Sequence, residues 1–136
     1  MKHIINNMKF RLPALDENVG ICTTVVSNFA SLLNPSVEEL GDIRCAVTEA
    51  FTNCVKHAYK DLPENKDGYV YVSVRLYDLK EVTVEISDNG CGFELETSPR
   101  DTGMGFTIIR SFMDSVIIKS KVGKGTTILM RKALRK

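Results

Sequence analysis

Glu49 and Asn53 stand four residues apart, and His57 follows four further on. On a helix this spacing stacks side chains one turn above another, about 6 Å apart along the axis. The residue types suit chemistry. A carboxylate such as Glu49 can take a proton as a general base, and the amide oxygen of Asn53 is a hard donor suited to Mg²⁺. A solvated helix face accounts for any one of them equally well, so the row needs support from elsewhere in the chain.

Three glycine-bearing segments supply candidates. Asp88-Asn89-Gly90-Cys91-Gly92 follows a strand-like run. A carboxylate at a strand end can accept a hydrogen bond from an exocyclic amine such as that of adenine. Gly90 and Gly92, lacking Cβ atoms, would let backbone approach a flat ligand, although D-N-G is also a common turn. Gly103-Met104-Gly105 opens an apolar helical pattern, and the first amides of a helix lack internal partners and favour phosphate. Gly125-Thr126-Thr127 begins a last strand-like run whose hydroxyls could bond a purine or its water, though two threonines there are ordinary. No G-K-[ST] phosphate loop occurs. Each signal is weak alone; their order, E-x-x-x-N, then D-x-G-x-G, then G-x-G, then G-T-T, is what carries weight.

The elements that must position these residues can be read from periodicity. Met8–Leu12 reads as a short edge strand running into Pro13. Asp16 is placed to cap a first helix whose face is Cys22, Val25, Val26, Phe29, Leu32 and Leu33. Asn34-Pro35 stops it. Ser36 and Glu39 form a capping-box signature, and a stripe from Leu40 through Ala58 extends the second helix to about Tyr59. Tyr69–Tyr77 and Val82–Ser87 alternate with period two and form a hairpin. A third helix is predicted from about Gly103 to Met113, then strands Val116–Ser120 and Thr126–Arg131. The order β-α-α-β-β-α-β-β predicts one α+β domain over residues 1–136, a two-layer sandwich. Its mostly antiparallel, mixed sheet is covered on one face by three helices. A doubly wound fold would need regular alternation.

Composition excludes several classes. With 18 basic and 17 acidic residues the net charge is +1, which provides no basic field for nucleic acid. Cys22, Cys45, Cys54 and Cys91 form no C-x-x-C unit, and with two histidines in the chain a zinc site is not expected. Scattered cysteines suit a reducing compartment. No apolar run has signal-peptide or membrane-spanning length, so the expectation is a cytoplasmic protein without membrane or direct nucleic-acid partners.

The segments TEAFTNCVKHAY, SDNGCGF, TGMGFTIIRSFMDSV and GKGTTI resemble the ATP-binding motifs of the GHKL superfamily (gyrase, Hsp90, histidine kinase, MutL). Within it they are most similar to the anti-sigma factor serine kinases, over nearly the whole chain. The resemblance implies that Glu49 is the catalytic base, Asn53 the Mg²⁺ ligand and Asp88 the adenine-binding aspartate. It further implies that Gly90, Gly92, Gly103 and Gly105 flank the ATP lid and that Thr127 lies in the nucleotide pocket. His57 and Met104 fall inside the matching motifs and count as candidate nucleotide contacts. Between Gly92 and Gly103 stand ten residues, FELETSPRDT, where the family's sporulation members carry a longer lid. Arg100 is the one cation there and the candidate phosphate contact.

Members of this group use ATP and Mg²⁺, bind a sigma factor, usually as dimers, and phosphorylate a serine of an anti-anti-sigma partner of the STAS fold. Two functions stay open on the sequence: such a kinase, favoured by the Glu49–Asn53 pair, or a non-catalytic, nucleotide-dependent binding module, favoured by the short lid. The ATPase part of a histidine kinase is not expected, because no helix bearing a phosphorylated histidine precedes the first strand.

Overall fold

Alternation decides the sheet. In Tyr69–Tyr77 (β2) every second residue is buried, and Glu81–Asp88 (β3) continues the same face as Val82, Val84, Ile86 and Asp88. The structure, a computed structural model, describes residues 2–59, 68–93 and 104–135. The other strands are Ile4–Pro13 (β1), Ser115–Lys121 (β4) and Gly125–Ala133 (β5), and the helices are Val19–Ala30 (α1), Val37–Asn53 (α2) and Met104–Phe112 (α3).

The strands lie in the order β1-β2-β3-β5-β4. All four pairings are antiparallel, so the parallel component expected of a mixed sheet is absent among the described residues. After α3 the chain returns as β4, and β5 inserts between it and β3. Register places Asp88 opposite Thr126, Ile86 opposite Ile128 and Val84 opposite Met130. All six are buried and share the face that the helices cover.

Ile43, Val47, Ala50 and Phe51 of α2, Cys22 and Val26 of α1 and Ile109 of α3 complete one continuous core with that face. Fully burying a side chain of this kind contributes roughly 1.5–3 kcal/mol. Among the described residues no element covers the other face of the sheet, where Lys9, Arg11, Tyr71, Ser73 and Arg75 line a groove.

Several boundaries differ from the sequence reading. β1 starts at Ile4, because β2 offers a pairing edge as far as Tyr77, even though the residues from Ile4 to Asn7 are exposed. Asp16 caps nothing: the chain enters α1 through a 3₁₀ turn, Asp16–Asn18, and neither turn nor helix has a side-chain cap. The Asn18 side-chain Nδ2 instead donates to the Pro13 carbonyl at 2.9 Å. Before Pro35, Asn34 turns the chain with a left-handed φ of 55°.

Candidate functional site

The capping box fixes the start of α2. Glu39 donates its amide to Ser36 Oγ at 3.0 Å, and the Ser36 amide donates to Glu39 Oε1 at 2.8 Å. Seventeen residues of regular helix follow, so Glu49 and Asn53 are related by one turn. Glu49 is half-buried on the wall of a cavity of about 330 Å³ that also includes Thr23, Arg44, Thr48 and Ile108. Asn53 is buried at the last position of α2.

Beyond Asn53 the helix widens into a π-helical turn, Cys54–Ala58. A π turn spaces its hydrogen bonds five residues apart and rotates less per residue than an α-helix. His57 lies within this turn. Its carbonyl accepts a hydrogen bond from the Cys91 thiol at 3.3 Å, joining the turn to the loop after β3.

Asp88 ends β3 and is 3 % exposed. Its Oδ1 accepts from the Gly90 amide at 2.9 Å and from the Thr126 amide at 3.2 Å. Its Oδ2 is buried and has no hydrogen-bond partner among the described residues. A buried carboxylate oxygen left unpaired is costly and rare in native proteins. The geometry therefore leaves an acceptor for a donor that the described residues do not supply, and the residues present fit an exocyclic amine.

The glycines make room for neighbouring backbone. A Cβ on Gly90 would overlap the Ala58 carbonyl, and one on Gly92, at φ 64°, would overlap the Lys121 carbonyl. Both allow backbone to meet backbone closely. The Cys91 amide donates to the Ala58 carbonyl at 2.7 Å, and the Gly123 amide donates to the Cys91 carbonyl at 2.7 Å. The loop is thus clamped between the π turn and the β4–β5 turn.

Thr126, and not Thr127, stands beside Asp88. Strand alternation sends Thr127 to the opposite face, paired with Ser87 and Lys119, where it borders a groove with Lys119 and Lys124. Thr126 is buried and shares a 2.8 Å hydrogen bond with Ser120, whose hydroxyl also accepts from the Phe93 amide at 3.0 Å. Phe93 in turn stacks on Phe106 of α3, centroids 5.8 Å apart. Period-two counting from Ile128 would have selected Thr126; the Phe93–Phe106 contact has no local signal in sequence.

Met104 and Gly105 are the first positions of α3 after a gap in description. Gly103 and Arg100 lie outside the described residues. Among the described residues no three His, Cys, Asp or Glu side chains gather to hold a metal. Mg²⁺ takes few protein ligands and completes its shell with phosphates and water, and the Asn53 amide oxygen is a hard donor of the kind it accepts. Among them, too, no helix is long and apolar enough to cross a membrane.

Glu49 and Asn53 stand on α2, in the helical layer that covers the face of the sheet where Asp88 is buried. The model of the histidine kinase-like ATPase domain family matches residues 12–132. The chain belongs to that family. It is 41% identical to the anti-sigma F factor of Clostridium acetobutylicum, with 93% of each chain covered. It is 37% identical to that of Caldanaerobacter subterraneus subsp. tengcongensis, again with 93% of each covered, and 36% identical to that of Priestia megaterium, with 95% and 93% covered. The first alignment spans 138 positions, more than this chain has residues, so that relative holds internal residues that this chain lacks.

The fold also matches one third of a chain that holds the RsbU and RsbW domains of a Mycobacterium tuberculosis protein, with a TM-score of 0.74 at 18% identity, covering 96% of this chain and 33% of that one. The histidine kinase domain of a blue-light activated kinase from Erythrobacter litoralis gives 0.63 at 19% identity, covering 90% and 62%. This chain thus spans less than two thirds of either solved chain. Its sandwich is the GHKL-type fold.

Proposed function

We propose that this chain is an ATP-dependent anti-sigma factor: a protein-serine kinase that sequesters a sigma factor and phosphorylates a serine of a STAS-fold anti-anti-sigma partner. The observation that carries the reading is the buried, unpartnered Oδ2 of Asp88, an acceptor suited to the adenine amine. The 35–41% identity to anti-sigma F factors over more than nine-tenths of the chain supports the assignment of partners.

In this reading Asp88 holds the nucleobase, with Thr126 fixing the carboxylate from behind. Asn53 is the protein ligand to Mg²⁺, and ATP with Mg²⁺ supplies the transferable phosphoryl group and the charge that balances it. Glu49 takes the proton from the acceptor serine, and the amides at Gly103 to Gly105 face the phosphates. Gly90 and Gly92 shape the loop, Arg100 meets phosphate, and His57 and Met104 flank the nucleotide. The protein works as a homodimer in the cytoplasm, with residues 1–136 as one domain.

The test is transfer of labelled γ-phosphate from ATP to a STAS partner by the wild type and by Glu49→Ala. General-base catalysis contributes about 10²- to 10⁴-fold. The variant should lose transfer by at least the lower figure while binding ADP as the wild type does. Undiminished transfer by Glu49→Ala would sink the assigned base. ATP binding without any transfer by the wild type would favour a nucleotide-dependent binding module, a reading supported by the internal residues that this chain lacks.

A further inference from the structure

Tyr59 follows the π turn, and its phenol oxygen joins two elements. It donates to the Tyr69 carbonyl at 2.5 Å, at the start of β2, and accepts from the Asn89 amide at 2.9 Å. Burial, the larger influence, pushes the phenol above its ordinary pKa, so near neutral pH the hydroxyl can donate and accept at once. Its ring packs where a Cβ on Gly68 would stand.

The three amides after Asp88 are all tied. Asn89 is held by the Tyr59 hydroxyl, Gly90 by Asp88 Oδ1 and Cys91 by the Ala58 carbonyl. Two of the three anchors, Tyr59 and Ala58, are neighbours at the end of the second helical run. From this geometry we infer that Tyr59 is a positioning residue for base selection: its hydroxyl fixes the backbone after Asp88 and so aims Oδ2 at the ligand.

The inference rests on the adenine-nucleotide reading of the site. Adenine presents an amine donor where guanine presents a carbonyl acceptor, so a fixed carboxylate acceptor discriminates between them. A site built to hydrogen-bond one group rejects its replacement strongly, provided the partner stays in place. A loosened Asp88 keeps its charge but loses its aim.

The experiment compares ADP and GDP affinity by calorimetry for the wild type, Tyr59→Phe and Tyr71→Phe, the last removing a hydroxyl on the open sheet face. Loss of one aligned hydrogen bond predicts that Tyr59→Phe weakens ADP roughly five- to tenfold. The ADP-over-GDP ratio should fall with it, while Tyr71→Phe leaves both unchanged. Equal weakening of ADP and GDP would make Tyr59 a general brace and overturn the inference, as would an unchanged ratio. A wild type that binds neither nucleotide would instead overturn the reading of the site.

Should Tyr59→Phe fail to fold, amide hydrogen exchange in the wild type decides. Protection of the Asn89 and Gly90 amides is expected, and exchange at the free-chain rate would contradict the hold.

Discussion

The Thr126 amide donates to Asp88 Oδ1 across the β3–β5 pairing, at 3.2 Å, between residues directly opposite in register. The carboxylate is therefore oriented by the sheet as well as by its own loop. One oxygen is committed to two amides, and the other is left buried and available. Any change that shifts the β3–β5 register by one residue would turn Asp88 to the open face and remove the site.

Gly125 sits where this pairing begins. It has a φ of 81°, and a Cβ there would overlap the Asp88 carbonyl. Gly125→Ala should destabilise the fold by about 2–4 kcal/mol, from backbone strain plus displacement of β3. Gly41 is the opposite case: it lies inside α2 with nothing within 4 Å of its missing Cβ. Gly41→Ala should stabilise by up to about 1 kcal/mol, raising Tm by a few degrees. Thermal unfolding of the two variants checks both signs, and a neutral Gly125→Ala would contradict the close approach.

Glu81 is nearly buried at the far end of β3 and binds Lys2 at 2.5 Å and Arg131 at 3.0 Å. Burial acts to raise its pKa, but the hydrogen bonds and charges of Lys2 and Arg131 outweigh it and lower the value. A lowered carboxylate stabilises the fold above its unfolded value, about 4.3, and this stabilisation fades as pH falls through the folded value. Glu81→Gln should cost about 1–3 kcal/mol at pH 7, and the gap to the wild type should close towards pH 3. Denaturant unfolding at several pH values measures it; a gap that widens on acidification would refute the ion-pair assignment.

Thiol labelling tests the packing. Cys45 is exposed, whereas Cys22 and Cys54 are buried, and burial pushes the Cys22 thiol up to about 12. Cys45 should react first with a disulfide reagent, and Cys22 and Cys54 only on unfolding. Cys91, half-buried and bonded to the His57 carbonyl, should react more slowly than Cys45 and more slowly still with ADP present. Rapid labelling of Cys22 in the folded protein would contradict the α1–α2 packing.

The elements were legible because each writes its own period. The capping box at Ser36 and Glu39 and the alternation of Tyr69–Tyr77 are local signals, and both appear as read. The site was legible in its residue types but less so in its geometry. Thr127 lost its place to Thr126 because a strand assigns faces strictly by parity. The π turn that carries His57 went unread because such a turn has no sequence signature. Gly90 and Gly92 approach Ala58 and Lys121 closely, residues far from them in the chain, so no local reading could name those neighbours. The role of Tyr59 was hidden for the same reason, since its partner Asn89 lies thirty positions away.

Calorimetric titration of ADP into the wild type and into Asp88→Asn bears most directly on the nucleotide site. Asparagine keeps an oxygen for the Gly90 and Thr126 amides but turns an amide donor towards the ligand amine. The variant should keep its fold and lose at least about tenfold in affinity, the effect of one charge-assisted hydrogen bond of 1.5–3 kcal/mol. Equal ADP affinity in the two proteins, or no ADP binding by a folded wild type, would contradict the assignment of Asp88 as the base-binding carboxylate.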